Sequence, residues 1–293
     1  MRGILQMIRE RVTLVVGLAF TGLVLMLAPV RPQMLIYPLV RQAVQKKIDY
    51  STGDMLVKDT PHFRIKYTEV DAGIVETVAG AAEAAYEPVS QALNYRIKSR
   101  TLILIYPDRT AMGHAYGWSG EINAMGFYWG GVIQILSPAA WMKDGVSPEE
   151  FIRTGPLAHE YTHLVLDYMT QGNYSRWFTE GLAQYVEYRL NGYEWITANN
   201  RLDEKLYSLK ELDTRFDDLP NQSLAYRQSL AAVRYIAAVH GESALAQVID
   251  YLRTGMSTDK AITKALNMDY TAFEQEVNIW AVRNMKNYMT VNK

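Results

Sequence analysis

The pattern of apolar and polar positions divides the chain into three stretches. From Val12 to Val30 it runs nineteen residues without a charge, VTLVVGLAFTGLVLMLAPV. At 1.5 Å rise per residue such a run is just long enough for a hydrocarbon core of about 30 Å. With Arg2, Arg9 and Arg11 ahead of it, it predicts a transmembrane helix over 12–30 behind a short tail, 1–11. A cleaved signal peptide fits less well: Met26-Leu27-Ala28 lacks the small residue at the first position, and Pro29 follows at once. Residues 31–58 carry Pro32 and Pro38 and then a mixed polar run, which reads as a juxtamembrane stalk with a short helix from Leu39 to Ile48. Arg31, Arg41, Lys46 and Lys47 balance the positive charges before the span. Charge therefore leaves orientation open. Analogy with short-tailed single-span enzymes places the catalytic domain on the extracytoplasmic side of the cell membrane.

Beyond the stalk the periodicity alternates between two and 3.6. His62 to Tyr67 alternates and reads as a strand. Val70 to about Leu93 returns apolar residues at Ile74, Val78, Ala81, Ala85 and Val89, a helix with one face on a sheet, which Pro88 should bend or end near its last turn. Thr101 to Tyr106 is an apolar strand stopped by Pro107. Residues 109–130 interleave glycines with Tyr116, Trp118, Phe127, Tyr128 and Trp129, and Gly131 to Leu136 is a further strand, read either as an exposed edge able to hold an extended peptide or as an ordinary hairpin strand within the sheet. Residues 59–140 thus form an α/β lobe with an edge strand. Ser147-Pro148-Glu149-Glu150 opens a helix by its capping order, and Gly155-Pro156 ends it. Helices follow over Pro156–Asp167, Glu180–Leu190, Arg201–Leu212, Ser223–His240, Ser243–Leu252, Thr258–Leu266 and Tyr270–Met285, making 141–290 an all-helical lobe. The fold class is α+β, with a small mixed-sheet lobe before a larger helical one.

Composition narrows the partners. Thirty basic residues against thirty-one acidic ones leave a net charge of −1, which gives no footprint for nucleic acid. The chain has no cysteine, so disulfides, thiolate ligands and a cysteine nucleophile are all excluded.

Of the five histidines, two stand in His159-Glu160-Tyr161-Thr162-His163. Four residues apart, they share one helix face and can reach one ion. Seventeen residues past His163, Glu180 offers a third ligand within Arg176-Trp177-Phe178-Thr179-Glu180-Gly181. Zinc takes three protein ligands and leaves a fourth position open in catalytic sites. His159, His163 and Glu180 fill that set, with Zn2+ as cofactor and Glu160 kept off the metal as general base. Tyr226, at the start of a helix, is the candidate oxyanion donor, with a purely structural tyrosine as the alternative. His62, His114 and His240 read as surface or capping residues. Gln184, Glu187 and Asp167 are candidates to hold the free ring nitrogens of the ligating histidines.

These residues resemble a known family, the peptidase MA-like domains of the gluzincin metallopeptidases, from about Leu157 to Trp280. The resemblance rests on Leu157-Ala-His-Glu-Tyr-Thr-His163, on Arg176-Trp-Phe-Thr-Glu-Gly-Leu-Ala-Gln-Tyr185, on Ala225-Tyr-Arg-Gln-Ser229 and on the Gly241–Phe273 pattern. It implies a zincin-like domain in which His159, His163 and Glu180 hold zinc, Glu160 is the base and Tyr226 lies near the cleft. In the thermolysin-like pattern an aspartate follows the third ligand by four; here that place is Gln184, so the histidine's carboxylate partner is unassigned.

The expected function is a membrane-anchored zinc peptidase acting on peptide or protein substrates. An endopeptidase is preferred over an aminopeptidase because no glutamate-rich amine-binding motif stands out. The alternative is an inactive zincin-like module that binds peptide or envelope polymer as a scaffold. A non-peptidase zinc hydrolase also fits the motif.

Overall fold

The computed structural model describes residues 32–116, 124–142 and 145–285. The apolar run 12–30 lies outside the described residues. Among those residues, no helix is long and apolar enough to cross a membrane. The expected transmembrane helix, single-pass anchor and cell-membrane placement are corrected on that finding. What stands is an α+β fold with a mixed-sheet lobe and a helical lobe. The first described helix, α1 (Pro32–Ser51), carries Arg41, Lys46, Lys47 and Asp49 and lies against protein. It occupies most of the segment read as a stalk.

Five strands form one mixed sheet: β1 (Leu56–Asp59), β2 (Phe63–Tyr67), β3 (Thr101–Tyr106), β4 (Gly126–Trp129) and β5 (Val132–Leu136), in the order β1-β2-β3-β5-β4. β2, β3 and β5 run parallel, and the two outer pairs are antiparallel. Strand period sorts the side chains cleanly. Ile65, Ile103, Ile105, Ile133 and Ile135 face the main core with Val78, Ala82 and Val89 of α2 (Val75–Ala92). Leu104, Tyr106, Val132 and Leu136 face the other way, where Ile48 of α1 closes a second cluster. α1 is thus the cover of a sheet face.

The edge strand is not where the pattern put it. β5 is interior and buried throughout, and β4 holds the edge. Gly130 and Gly131, with φ +57° and +87°, make the two-residue turn of the β4–β5 hairpin, the primed geometry that matches strand twist. Gly131 also admits α1: a Cβ there would sit 2.3 Å from Gln45 Nε2 and 2.9 Å from Arg41 Cγ.

The helical lobe contains α4 (Pro148–Thr154), α5 (Leu157–Thr170), α6 (Arg176–Asn191), α7 (Leu209–Thr214), α8 (Gln222–Tyr235), α9 (Glu242–Arg253), α10 (Thr258–Leu266) and α11 (Tyr270–Asn284), after the short α3 (Arg109–Tyr116). The helix expected from Arg201 shrinks to α7, opened by a Ser208–Glu211 capping box. The preceding loop is held instead by Glu194, which accepts from Arg227 at 3.0 Å and Arg234 at 3.1 Å. Pro88 stays within α2, which continues to Ala92.

One buried carboxylate joins α1, the sheet and α5. Asp167 is 0 % exposed. Its Oδ1 accepts from Tyr37 Oη at 2.6 Å and Tyr174 Oη at 3.2 Å, and its Oδ2 from Arg41 Nη1 and Tyr128 Oη, each at 2.7 Å. The Arg41 guanidinium also lies 3.7 Å over the Tyr168 ring. Removing the cation leaves a desolvated carboxylate with neutral donors only, and breaking a buried pair costs about 3 kcal/mol or more. Arg41→Met is therefore expected to lower the unfolding free energy by that amount, read as a lower urea midpoint at an unchanged m-value.

Candidate metal centre

α5 begins at Leu157 because Gly155-Pro156 breaks the preceding helix, and Pro156 stands at its N-cap. One side of α5 belongs to the core through Tyr161, Leu164 and Val165. The opposite side carries His159 and His163, one turn apart, with ring centroids 4.8 Å from each other. The chain then reverses through Gln171 and Gly172, both at positive φ. Asn173 pins this turn by donating to the carbonyls of Leu252 (2.7 Å) and Met256 (2.9 Å). α6 follows and packs back on α5, which sets Glu180 opposite both histidines.

The three side chains converge on one point. Glu180 Oε2 lies 3.3 Å from His159 Nε2 and 3.5 Å from His163 Nε2. All three donor atoms fall within 4.8 Å of one another. Two imidazole nitrogens and a carboxylate oxygen, presented by two packed helices, are a donor set that suits zinc. The convergence is the test of fit, and these residues pass it: the cluster can coordinate a zinc ion.

Each ligand has a holder behind it. His163 Nδ1 lies 2.6 Å from Thr179 Oγ1, and His159 Nδ1 lies 3.4 Å from Glu187 Oε2. Glu187 therefore takes the place of the carboxylate missing at Gln184: it lies three residues further along α6, on the same helix face. Gln184 does something else, donating to the carbonyls of Glu180 (3.1 Å) and Tyr226 (2.8 Å) and so tying α6 to α8. Asp167 belongs to the α1 hub. Thr179 was not a sequence candidate, since a threonine beside a ligand carries no spacing signal. The Glu180 carboxylate is completed by Arg176, whose Nη1 lies 2.5 Å from Oε1.

Electrostatics follow the burial. Desolvation opposes charge on His159, but Glu180, Glu187 and Glu160 outweigh it and hold its pKa well above the ordinary value. Desolvation prevails at His163, against the pull of Glu180, and its pKa is lowered. Burial disfavours ionised Glu180, yet His163, Arg176 and the histidine hydrogen bonds keep its pKa well below the usual carboxylate range. Glu160, 5 % exposed, is pushed up to about 8 by burial, with His159 opposing and Glu180 adding to the rise.

Tyr226 reaches this neighbourhood from the second turn of α8. Phe216 packs edge-on at 5.1 Å between centroids and Trp195 at 6.4 Å. Burial first, then Glu180, raise its pKa, with Arg176 opposing, so the phenol keeps its proton. Helices α6 and α8 can approach this closely only because residue 181 is glycine: a Cβ there would meet Ser229 O at 2.2 Å. The remaining histidines stand apart from the centre. His62 stacks on Tyr86 at 3.5 Å and pairs with Glu83, His240 packs on Tyr235, and His114 is exposed in the last turn of α3.

Two outcomes follow. Gly181→Ala should force α8 outward, costing about 1–3 kcal/mol by overpacking, and should weaken zinc binding together with the thermal midpoint. For the metal-free protein the sign at Glu160 is set by a folded pKa above the unfolded one. The folded state then binds more protons between about pH 4.3 and about 8. Stability falls as pH rises through that window. Melting in the presence of chelator should show Glu160→Gln more stable than wild type at pH 8.5, with the gap narrowing towards pH 5.

Residues 128–283 match the Peptidase MA superfamily, just over half of the chain. No curated protein matches it. Among solved structures, it is similar to a two-domain M1 zinc metallopeptidase variant bound to L-arginine, at 15 % identity and TM-score 0.45, covering 82 % of this chain and 53 % of that one. It is also similar to an M1 zinc metallopeptidase variant from Deinococcus radiodurans, at 13 % identity and TM-score 0.41, covering 80 % and 51 %. The chain thus spans about half the length of these two structures. With the match lying across the β4–β5 hairpin, both metal-bearing helices and the helices behind them, the chain belongs to the Peptidase MA superfamily and carries its zinc-peptidase motif of the HExxH…E type in His159, Glu160, His163 and Glu180.

Proposed function

We propose that the chain hydrolyses peptide bonds in peptide or protein substrates. The observation that carries this reading is the division of labour between neighbouring side chains. His159, His163 and Glu180 bring one donor atom each to a common point, while Glu160, next to His159 and buried, stands outside that donor set.

His159, His163 and Glu180 would hold the zinc ion. When bound, zinc supplies Lewis-acid polarisation of a carbonyl and lowers the pKa of water. The chain's own residues do the rest. Glu160 accepts the proton of the attacking water and returns it to the leaving amine, from its place beside His159 and outside the donor set. The Tyr226 hydroxyl donates to the oxygen that gains negative charge. Thr179 and Glu187 keep the imidazoles oriented from behind. Among the described residues the group of metal-capable side chains contains three members and no fourth, the composition of a site with an open position and not of a closed structural one. This favours the enzyme over the scaffold reading.

Glu160→Gln should retain zinc at one equivalent and lose about 10²–10⁴-fold in turnover. Tyr226→Phe should lose about 10²-fold with its zinc content unchanged. Cleavage of a quenched peptide library, read beside metal content, checks both. Equal cleavage by wild type and Glu160→Gln would overturn the assignment of the base.

A further inference from the structure

We infer that Arg176 is a positioning residue that divides the two oxygens of Glu180, reserving Oε2 for the metal. The inference rests on the peptidase reading and concerns how the third ligand is presented. Oε1 is taken by Arg176 Nη1 at 2.5 Å, whereas Oε2 faces His159 Nε2 at 3.3 Å and His163 Nε2 at 3.5 Å. A carboxylate left to itself can offer a cation either oxygen or both. Here one oxygen already has a charge-assisted partner, and the other is turned towards the imidazoles.

Arg176 can do this because it is itself held. It stands one helical turn before Glu180 on α6, at the spacing that brings two side chains together. Its Nε lies 3.5 Å from Asp217 Oδ1, and its guanidinium lies 5.6 Å from the Phe216 ring centroid. Phe216 in turn packs against Tyr226. The planar guanidinium has enough donors to address Glu180 and Asp217 together, and its face can rest on an aromatic ring. A lysine would keep the charge but not the fork. The segment carrying Phe216 and Asp217 is thereby linked through Arg176 to the ligand, and through Phe216 to the Tyr226 ring.

Apo protein loaded with zinc or cobalt alone separates this role from a general structural one. Arg176→Gln should weaken zinc affinity in chelator competition by about 10–100-fold, the range seen when partners behind a metal ligand are lost. Because the freed Oε1 becomes available to the metal, the visible bands of the cobalt-loaded variant should lose intensity, as they do when coordination number rises. Arg176→Lys should retain more affinity than Arg176→Gln, and it serves as the test if the glutamine variant does not fold. Zinc affinity and cobalt spectrum both unchanged in a folded variant would overturn the inference. Failure of the wild type to bind either metal would instead overturn the reading of the centre itself.

Discussion

Four carboxylates lie buried along two neighbouring helices, and each has to be answered. Glu160, Asp167, Glu180 and Glu187 are all less than 9 % exposed. A carboxylate removed from water is strongly disfavoured unless cations or hydrogen bonds replace the lost solvation. Asp167 is satisfied by an arginine and three tyrosines. Glu180 has Arg176 and two imidazoles, and Glu187 has His159. At Glu160 burial outweighs the opposing pull of His159 and Arg176, and its pKa is pushed up to about 8. Three of these carboxyl groups, Glu160, Glu180 and Glu187, gather at one end of the α5–α6 pair, where the two Nε2 atoms also point. A divalent cation is the natural complement of that arrangement.

Holding the pair in register falls to contacts away from the chemistry. The turn after α5 uses two left-handed residues and an asparagine tied to the C-terminal end of α9, which fixes where α6 begins. Glycine at 181 lets α8 pack backbone to backbone against α6. That contact and the Gln184 bridge decide how close Tyr226 comes to Glu180. A change of one methyl group in this packing is transmitted to the site, because interiors this dense do not absorb added volume without moving a helix.

Helix α1 plays a corresponding part at the other end of α5. Through Asp167 it clamps α5 to the β4–β5 hairpin, since Tyr128 comes from the edge strand while Tyr37 and Arg41 come from α1. Its second task is to cover the sheet face lined by Leu104, Val132 and Leu136. The N-terminal part of the described chain thus belongs to the folding unit of the metal centre, which explains why it contains the tyrosine, arginine and glutamine that the hub and the hairpin turn require.

What the sequence determined by itself was local. Helix period placed His159 and His163 on one face, the glutamate at 180 lay within reach of a turn and a second helix, and strand period placed β3 at its observed bounds. Each depends on spacing along a single element, which is written directly in residue order. What only the tertiary structure decided depends on elements meeting. The partner of His159 is Glu187 and not the residue at 184, because the helix crossing chooses among residues on one face. Thr179 holds His163 because ring nitrogens are met by whatever stands opposite. β4 rather than β5 takes the sheet edge, because strand order is a property of the whole sheet. Helix α1 folds onto the sheet, because Asp167, 126 residues beyond Arg41, supplies the counter-charge that no local pattern records.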